Sequence, residues 1–299
     1  MRNGVSISVI VRTLGRDKRL VEALECLANQ TRHDFETVIV DMSDNQLASV
    51  LAPYHKRLPH LQHLRVGKPL SRAEALNLGI RNAAADKIAI LDDDNLYDPI
   101  HLNVLIEGLE RTAADLVYTG VRRTTYNQAG KLIDSTEWHQ PYNFSNLVFG
   151  NYIHTSGTAF WKRTWERLGG YDLRFPVYED FEFLLRVGAT GRIECLSAVT
   201  AESRSFTGQV GVQNHALERR HVRSSWAGVC WLYRDYFTRE RRAAHAQSLK
   251  ANGIVRPQIN LRGWAHSRAR TIIGLAEWWF FYALPAWKVS RKGLIVGNQ

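Results

Sequence analysis

An apolar run that ends in three consecutive aspartates, at residues 87–95, restricts the fold more than any other stretch of this chain. The run has the length of a buried strand, so its end must lie at the edge of a sheet. Asp92, Asp93 and Asp94 would repel one another there and raise one another's pKa unless a partner neutralises them. A divalent cation bound by carboxylate and phosphate oxygens is one such partner. The alternative is a solvated acidic turn that caps the next helix.

Short apolar strands alternate with amphipathic helices over residues 7–109. The strands are predicted at 7–11, 35–40, 63–66 and 87–91, and the helices at 17–29, 71–80 and 99–109. This alternation indicates an α/β fold with a Rossmann-like, mostly parallel sheet flanked by helices. Ligands of such sheets bind beyond the carboxyl ends of the strands. The loop after the first strand, Asp41 after the second and the aspartates after the fourth would meet there, which favours a polyphosphate or nucleotide site.

The pattern changes after residue 115. A β-ribbon is predicted at 116–126 with a turn at 127–130, then a strand at 157–161, helices at 164–168 and 178–186, and a strand at 192–196. The second of these helices begins with the carboxylates Glu179 and Asp180. A helix dipole favours acidic residues in the first turn, so an ordinary structural role is one explanation for both.

The net charge of +10 belongs almost entirely to the C-terminal part of the chain. Up to Gly211 there are 24 Lys and Arg against 25 Asp and Glu, so the charges nearly cancel. From Val212 onward there are 15 against 4, together with six of the nine tryptophans. We therefore predict an α/β domain at 1–211 and a mainly helical, basic, Trp-rich extension at 212–299.

The basic extension has three candidate partners: an anionic membrane surface, a second copy of the chain, and nucleic acid. Its apolar segment at 272–287 is too short to cross a bilayer, and Pro285 with the flanking cations favours a helix lying in the membrane interface. No nucleic-acid motif accompanies the basic residues, which makes nucleic acid the least favoured partner. The predicted location is cytoplasmic, peripheral on the inner face of the cell membrane, since the N-terminus lacks signal-peptide features and the cysteines are far apart.

Six motifs follow one another in an order that resembles a known enzyme family. They are Ile7-Ser-Val-Ile-Val-Arg-Thr13, Val38-Ile-Val-Asp41, Ala73-Glu-Ala-Leu-Asn-Leu-Gly-Ile80, Leu91-Asp-Asp-Asp-Asn95, Gly169-Gly-Tyr-Asp172 and Glu179-Asp180. No single motif is specific, but their order and separations over residues 5–200 resemble glycosyltransferase family 2. The resemblance implies a GT-A fold and transfer of a sugar from a nucleotide donor.

The resemblance also implies roles at the donor site. Asp41 matches the carboxylate that contacts the nucleotide base, usually uracil, and Thr13 lies in the segment that covers the nucleoside. Asp92 and Asp94 match the DxD pair, the first touching ribose or sugar and the second binding Mg²⁺ or Mn²⁺. Alternation along the strand points Asp93 away from Asp92 and Asp94. Asp93 is therefore expected to support the donor-binding residues and not to bind the metal itself.

On the acceptor side, the resemblance makes Asp180, preceded by Glu179, the general base of an inverting enzyme. Trp161 is predicted near the acceptor as a sugar-stacking platform, although packing in the core fits its sequence equally well. His154 is a further acceptor-side candidate. His215 is a candidate metal ligand from a closing loop, and both histidines could equally be ordinary polar residues.

Arginines are candidates for contacting the donor phosphates. The family's usual Ala-Arg-Asn is Ala75-Leu-Asn77 here, which removes a cation, and Arg72 or Arg81 could substitute for it. Arg204 lies at 202–206, where GT-A enzymes have a mobile loop, and could meet the pyrophosphate.

The resemblance implies a metal-dependent, inverting glycosyltransferase that uses a nucleotide-diphosphate sugar, with UDP as the expected nucleotide. The acceptor would be a glycan or a lipid-linked glycan of the bacterial cell surface. A cation on Asp94 would neutralise the leaving diphosphate while Asp180 takes the acceptor proton. Two other classes stay open: a non-catalytic sugar-nucleotide binder or membrane adaptor, and a nucleotidyltransferase, for which the loop at 12–16 is a poor match.

Overall fold

The computed structural model of this chain describes residues 4–15, 17–43, 47–58, 60–207 and 216–236. The strands are β1 (Ile7–Thr13), β2 (Phe35–Asp41), β3 (Leu61–Arg65), β4 (Lys87–Asp92), β5 (Leu96–Tyr97), β6 (Leu116–Tyr126), β7 (Leu132–Trp138), β8 (Thr158–Trp161) and β9 (Ile193–Phe206). The helices are α1 (Asp17–Ala28), α2 (Ala48–Leu51), α3 (Arg72–Asn82), α4 (His101–Thr112), α5 (Phe144–Val148), α6 (Lys162–Arg167), α7 (Glu179–Thr190) and α8 (Ala216–Leu232).

The described strands form one sheet in the order β3-β2-β1-β4-β8-β6-β9-β5, with β7 paired to β6. β3, β2, β1 and β4 run parallel, as the alternation predicts. β8 is antiparallel to both β4 and β6, and β9 runs parallel to β6. In the parallel half, Thr13 lies beside Asp41 and Arg12 beside Asp92, so β1, β2 and β4 end together. We call this end of the sheet, with Asp92, Asp93 and Asp94, the acidic edge.

The centre of the parallel half forms because β1 and β4 are largely apolar on both faces. Ile7, Val9 and Val11 of β1 belong to one core cluster with the apolar residues of α1 and α4. On the opposite face, α3 approaches β1 and β2 so closely that a Cβ atom at Gly79 would lie 2.4 Å from a methyl carbon of Ile10. Only glycine permits this distance, so Gly79 allows α3 to pack directly against the two strands.

The start of α3 agrees with its sequence. The Ser71 hydroxyl accepts the amide N–H of Glu74, and the Glu74 carboxylate accepts the amide N–H of Ser71. This reciprocal capping satisfies amide groups that the first helical turn leaves unpaired. The helix therefore begins where the sequence predicts, with Arg72 as its first residue.

The predicted β-ribbon is present, but the strand predicted at 192–196 is longer than expected. β6 pairs antiparallel with β7 around a turn at 127–130. The predicted loop at 202–206 is wrong, because these residues belong to β9 and pair in parallel with residues 122–126 of β6. Glu202 supports the pairing by accepting the hydroxyls of Thr124 and Tyr126 at 2.7 and 2.8 Å. The segment lacks apolar alternation, so only its long-range pairing makes it a strand.

The chain divides into two compact units. The first comprises Met1–Tyr142, Tyr152–Tyr171 and Arg186–Gln209 and contains all of the described strands. The second comprises Asn143–Asn151, Asp172–Leu185 and Val210–Gln299. Within the second unit, the ring of Phe181 on α7 stacks on Trp226 of α8 with 6.0 Å between centroids. The predicted boundary between residues 211 and 212 falls outside the described residues and stays a prediction.

Most of the basic extension also lies outside the described residues. α8 agrees with the predicted helical character, whereas residues 237–299, including the apolar segment at 272–287, are not described. No helix in the described parts of the chain combines the length and apolarity that a membrane crossing requires.

Candidate active site

Asp92, the last residue of β4, is paired with an arginine of the neighbouring strand. Arg12 Nε donates to Asp92 Oδ1 at 2.6 Å, and the two side chains are 11% and 22% exposed. Burial raises the pKa of the Asp92 carboxyl, but the charge and hydrogen bond of Arg12 outweigh it. With smaller effects from Arg72 and His154, the pKa falls from 3.8 to about 2. Asp92 is therefore ionised at neutral pH.

Asp93 is fully buried and holds the loop that follows β1. Thr13 Oγ1 donates to Asp93 Oδ2 at 2.7 Å, and the Gly15 amide donates to Thr13 Oγ1 at 3.1 Å. Both side chains are buried, whereas Leu14, between Thr13 and Gly15, is exposed.

Asp94 is 26% exposed and is approached by arginines from two elements. Arg19 Nη1, on α1, lies 3.8 Å from Asp94 Oδ2. Arg204 Nε, on β9, donates to the carbonyl oxygen of Asp94 at 2.6 Å, and its Nη1 donates to Glu22 Oε2 at 2.6 Å. The Asp94 backbone is thus fixed, while its carboxylate lies in a basic and partly open environment.

Asn95 ties the turn after β4 to two other parts of the first unit. Its amide N–H donates to the Asp92 carbonyl at 3.0 Å, and its Nδ2 donates to Ser156 Oγ at 2.9 Å. Its Oδ1 accepts the amide N–H of Arg204 at 3.0 Å. These bonds hold Asp92 and Asp94 in one geometry.

Asp41, at the end of β2, is also fully buried. Its Oδ1 accepts the amide N–H of Ser43 at 2.9 Å and the Ser43 hydroxyl at 2.6 Å. Its Oδ2 lies 2.9 Å from His63 Nε2 on β3. The Asp41 carboxylate is therefore buried among these partners, whereas the side chain of His63 is 24% exposed.

Arg72 and His154 both lie close enough to Asp92 to lower its pKa. Arg72 is exposed at the start of α3. His154 Nδ1 accepts the amide N–H of Ser156 at 3.2 Å, which fixes the ring beside the turn at 155–157. The structure therefore brings these two predicted site residues to the acidic edge.

The acidic edge fits a divalent cation that is shared between protein and phosphate. Asp92 is ionised and Asp94 is partly exposed, and carboxylate oxygens suit Mg²⁺ and Mn²⁺. Within the described part of the chain, no group of three or more His, Cys, Asp or Glu side chains could hold a metal ion by itself. One or two carboxylates, completed by water and substrate phosphates, are typical of a Mg²⁺ site.

Glu179 and Asp180 begin α7 in the second unit. Glu179 is buried, whereas Asp180 is partly exposed. Asp180 Oδ1 accepts the amide N–H of Phe181 at 2.8 Å, and Oδ2 accepts from Asn151 Nδ2 at 3.4 Å. Tyr178, just before the helix, has a left-handed φ of 64°, which is costly for a residue with a side chain. Asp180 is therefore the carboxylate of the pair that a ligand can reach.

The model of the family described as Glycosyl transferase family 2 matches residues 8–166, more than half of the chain. The chain belongs to glycosyltransferase family 2. It is therefore an enzyme that transfers sugars, as the six motifs predict, and the match spans the acidic edge from β1 to the turn after β4.

Two relatives show how far the similarity of this glycosyltransferase extends. An uncharacterized glycosyltransferase of Bacillus subtilis (strain 168), YwdF, is 27% identical over 210 residues, which are 67% of this chain and 75% of the relative. An uncharacterized glycosyltransferase of Rickettsia felis is 30% identical over 153 residues, which are 51% of this chain and 24% of the relative. The chain thus spans only about a quarter of the rickettsial protein.

Solved structures are similar to the glycosyltransferase in fold. The crystal structure of S. aureus TarS 1-349 superposes with a TM-score of 0.61 at 16% identity, covering 91% of this chain and 82% of TarS 1-349. The complex of TarS 1-349 with UDP-GlcNAc has a TM-score of 0.58 at the same identity, covering 92% and 80%. The predicted GT-A-type α/β fold is confirmed.

Trp161 does not lie at the acidic edge of the glycosyltransferase. It is the last residue of β8 and pairs with Lys87, the first residue of β4, whereas Asp92 ends that strand. Its indole Nε1 donates to the Ala114 carbonyl at 3.1 Å, and its ring packs against the core. These contacts agree with core packing, and the acceptor role of Trp161 stays a prediction.

Three residues that contact the aspartates of this site were not predicted from the sequence. Arg12, Arg19 and His63 each contact one of the aspartates at the ends of the parallel strands. Arg12 could have been found, because parallel alignment of the first and fourth strands places it beside Asp92. Arg19 and His63 have no local signal, since their partners belong to other elements. His215 lies outside the described residues, so its role as a metal ligand stays a prediction.

Proposed function

We propose that this enzyme is a divalent-cation-dependent, inverting glycosyltransferase that moves a sugar from a UDP-linked donor to a glycan or lipid-linked acceptor. The observation that carries the proposal is the ionised Asp92 next to Asp94, with arginines beside both, where the parallel strands end. Carboxylates that can hold a cation, next to guanidinium groups, suit a diphosphate leaving group.

A UDP-sugar is the donor class that we infer. Crystal structures of TarS 1-349, which has the same fold, contain UDP and UDP-GlcNAc, and this supports the inference. Arg72 and Arg204 would bind diphosphate oxygens through charge-assisted hydrogen bonds. The loop that follows Thr13 would cover the nucleoside, and Asp41 with His63 would lie on the side of the base.

Asp94 and Asp92 would hold Mg²⁺ or Mn²⁺. When bound, the cation would neutralise the negative charge that develops on the leaving diphosphate. The chain's own contribution is to prepare both ligands. Arg12 keeps Asp92 ionised and oriented, Arg204 fixes the Asp94 backbone, and Asn95 ties their turn to the rest of the first unit.

Asp180 would take the proton from the acceptor hydroxyl as it attacks. The residue is partly exposed in the first turn of α7, where the helix dipole favours a carboxylate. Attack from the face opposite the leaving diphosphate inverts the anomeric carbon. Glu179, buried in the same turn, would hold the start of the helix in place.

The acceptor and the cellular setting rest on the family resemblance and on the composition of the C-terminal extension. The basic, Trp-rich extension at 212–299 would bind the anionic inner face of a bacterial cell membrane, close to lipid-linked glycans of surface polysaccharide synthesis. Contact with a second copy of the chain is the alternative role for this extension. His154, which lies near Asp92, would face an acceptor or donor hydroxyl.

Release of nucleoside diphosphate from UDP-, GDP- and dTDP-sugars, with Mn²⁺ and with EDTA, tests the proposal. We expect UDP-sugar turnover that needs the cation and falls by roughly a hundredfold or more in Asp94→Asn. Asp134→Asn removes an exposed carboxylate from β7 and is the matched control, which should retain wild-type turnover. Turnover restricted to another nucleotide would overturn the donor, and full activity of Asp94→Asn would overturn the metal assignment.

A further inference from the structure

Arg19 is held between the acidic edge and an aromatic stack. Its Nη1 lies 3.8 Å from Asp94 Oδ2, and its guanidinium carbon lies 4.2 Å from the centre of the Phe206 ring. Phe206 in turn stacks on Tyr126 with 5.6 Å between centroids. The Arg19 side chain is 14% exposed, so it is set into the edge and does not extend into solvent.

The contact of Arg19 with Asp94 is longer than the hydrogen bonds that Arg12 and Arg204 make at this edge. Arg12 is hydrogen-bonded to Asp92 at 2.6 Å, and Arg204 is hydrogen-bonded to the Asp94 carbonyl at 2.6 Å. At 3.8 Å, Arg19 and the Asp94 carboxylate form an ion pair beyond hydrogen-bond range. Separating this pair therefore costs less than separating Arg12 from Asp92.

The same edge contains a donor that suits an incoming anion. The Arg204 side chain is only 7% exposed, and its Nη2 has no hydrogen-bond acceptor within the described part of the chain. Nη2 lies on the same side of the guanidinium as Nε, which donates to the Asp94 carbonyl. A buried donor without an acceptor is costly, and a phosphate oxygen arriving beside Asp94 would satisfy it.

We propose that Arg19 exchanges partners when the donor binds, leaving Asp94 for the diphosphate and so opening Asp94 to the divalent cation. The inference rests on the proposed function of this site. A cation that binds without nucleotide must compete with Arg19, because both use the Asp94 carboxylate. A diphosphate removes the competition by offering Arg19 charge-assisted hydrogen bonds. Arg19 is then a positioning residue that couples cation binding to nucleotide binding.

Four dissociation constants test the exchange. Electron paramagnetic resonance measures Mn²⁺ binding with and without saturating UDP, and calorimetry measures UDP binding with and without Mn²⁺. In Arg19→Gln, Mn²⁺ alone should bind about five- to tenfold more tightly, while its affinity in the presence of UDP changes less than about twofold. The enhancement of Mn²⁺ binding by UDP then falls, and by reciprocity the enhancement of UDP binding by Mn²⁺ falls by the same factor.

Two further variants serve as controls for Arg19→Gln. Lys18→Gln removes an exposed cation from the same helix and should leave all four constants unchanged. Arg19→Lys retains the charge and should restore most of the coupling. Arg19→Met gives the same comparison if Gln impairs folding.

The outcomes separate this inference from the proposed function. Equal tightening of Mn²⁺ with and without UDP would mean that Arg19 repels the cation from a fixed position, which overturns the exchange. Unchanged Mn²⁺ affinity in Arg19→Gln also overturns it, while UDP-sugar turnover by the wild type would still support the proposed function. A wild-type protein that binds neither Mn²⁺ nor UDP overturns both.

Discussion

Arg12 and Asp92 lie side by side on neighbouring parallel strands, and Arg12 Nε donates to Asp92 Oδ1 at 2.6 Å. This pair explains how three consecutive aspartates can end a largely buried strand. The repulsion that Asp92 would feel from its neighbours is offset by the guanidinium, which lowers its pKa to about 2 despite partial burial.

Replacing Arg12 with Gln should destabilise the fold by about 2 kcal/mol at neutral pH. The folded pKa of Asp92, about 2, lies below its ordinary value of 3.8. The stabilisation is therefore fully present above the ordinary pKa and is lost as the pH falls through the folded one. Urea unfolding at about pH 7, 4 and 2.5 should show the difference from wild type shrinking at the lowest pH. A constant difference would mean that Arg12 acts through packing.

Asp180→Asn should lower kcat by about 10²–10⁴-fold, because the amide cannot accept the acceptor proton. The amide oxygen can still accept the Phe181 N–H, so the start of α7 should be kept. Steady-state rates with a UDP-sugar, together with calorimetric UDP binding, make the measurement. A general base acts on the acceptor hydroxyl and not on the donor, so UDP affinity should remain near that of wild type. A parallel loss of UDP affinity would contradict the role as base.

Asn77→Ala should destabilise the protein by about 2–4 kcal/mol. Asn77 Oδ1 accepts the Tyr171 amide at 2.8 Å and Trp165 Nε1 at 3.0 Å, and its Nδ2 donates to the Tyr171 carbonyl at 2.8 Å. The alanine variant leaves these buried groups unpaired and loosens the turn at 169–171. Asn82→Ala, at the exposed end of the same helix, is the control and should cost less than about 0.5 kcal/mol by urea unfolding. Equal effects would remove the special role of Asn77.

His101→Gln should make stability less sensitive to mild acid. His101 is fully buried beside Tyr97, and its Nδ1 lies 2.7 Å from Thr200 Oγ1. Burial lowers its pKa from 6.5 to about 3, so at a pH between these values the unfolded chain binds a proton that the folded chain does not bind. Stability therefore falls as the pH drops below the unfolded pKa, by about 2 kcal/mol at about pH 5.

The slope of urea-derived stability between about pH 7 and pH 5 tests this prediction. It should flatten in His101→Gln, whatever the absolute stability of the variant. His33→Gln changes an exposed histidine and should keep the wild-type slope. Parallel slopes for all three proteins would show that another group causes the acid sensitivity.

Much of the parallel half could be predicted because its signals are local. The strand ending at Asp92 and the helix beginning after Ser71 follow from apolar spacing and capping chemistry in short segments. The strand at 202–206 and the position of Trp161 could not be predicted in the same way. Both depend on which strand from a distant part of the sequence pairs with the segment. Neither a polar segment nor a single aromatic residue specifies that pairing partner.

The sequence by itself determined the alternation of β1 to β4, the acidic end of β4 and the membership of a sugar-transferring family, since each rests on contiguous residues or on motif order. The tertiary structure decided which cation faces which carboxylate. Arg12 meets Asp92, Arg19 meets Asp94, and Arg204 joins Glu22 across 182 positions of the chain. These pairs depend on strand order and helix placement, and long-range packing sets both. The sequence therefore reveals the acidic run, whereas only the assembled sheet reveals which arginines neutralise it.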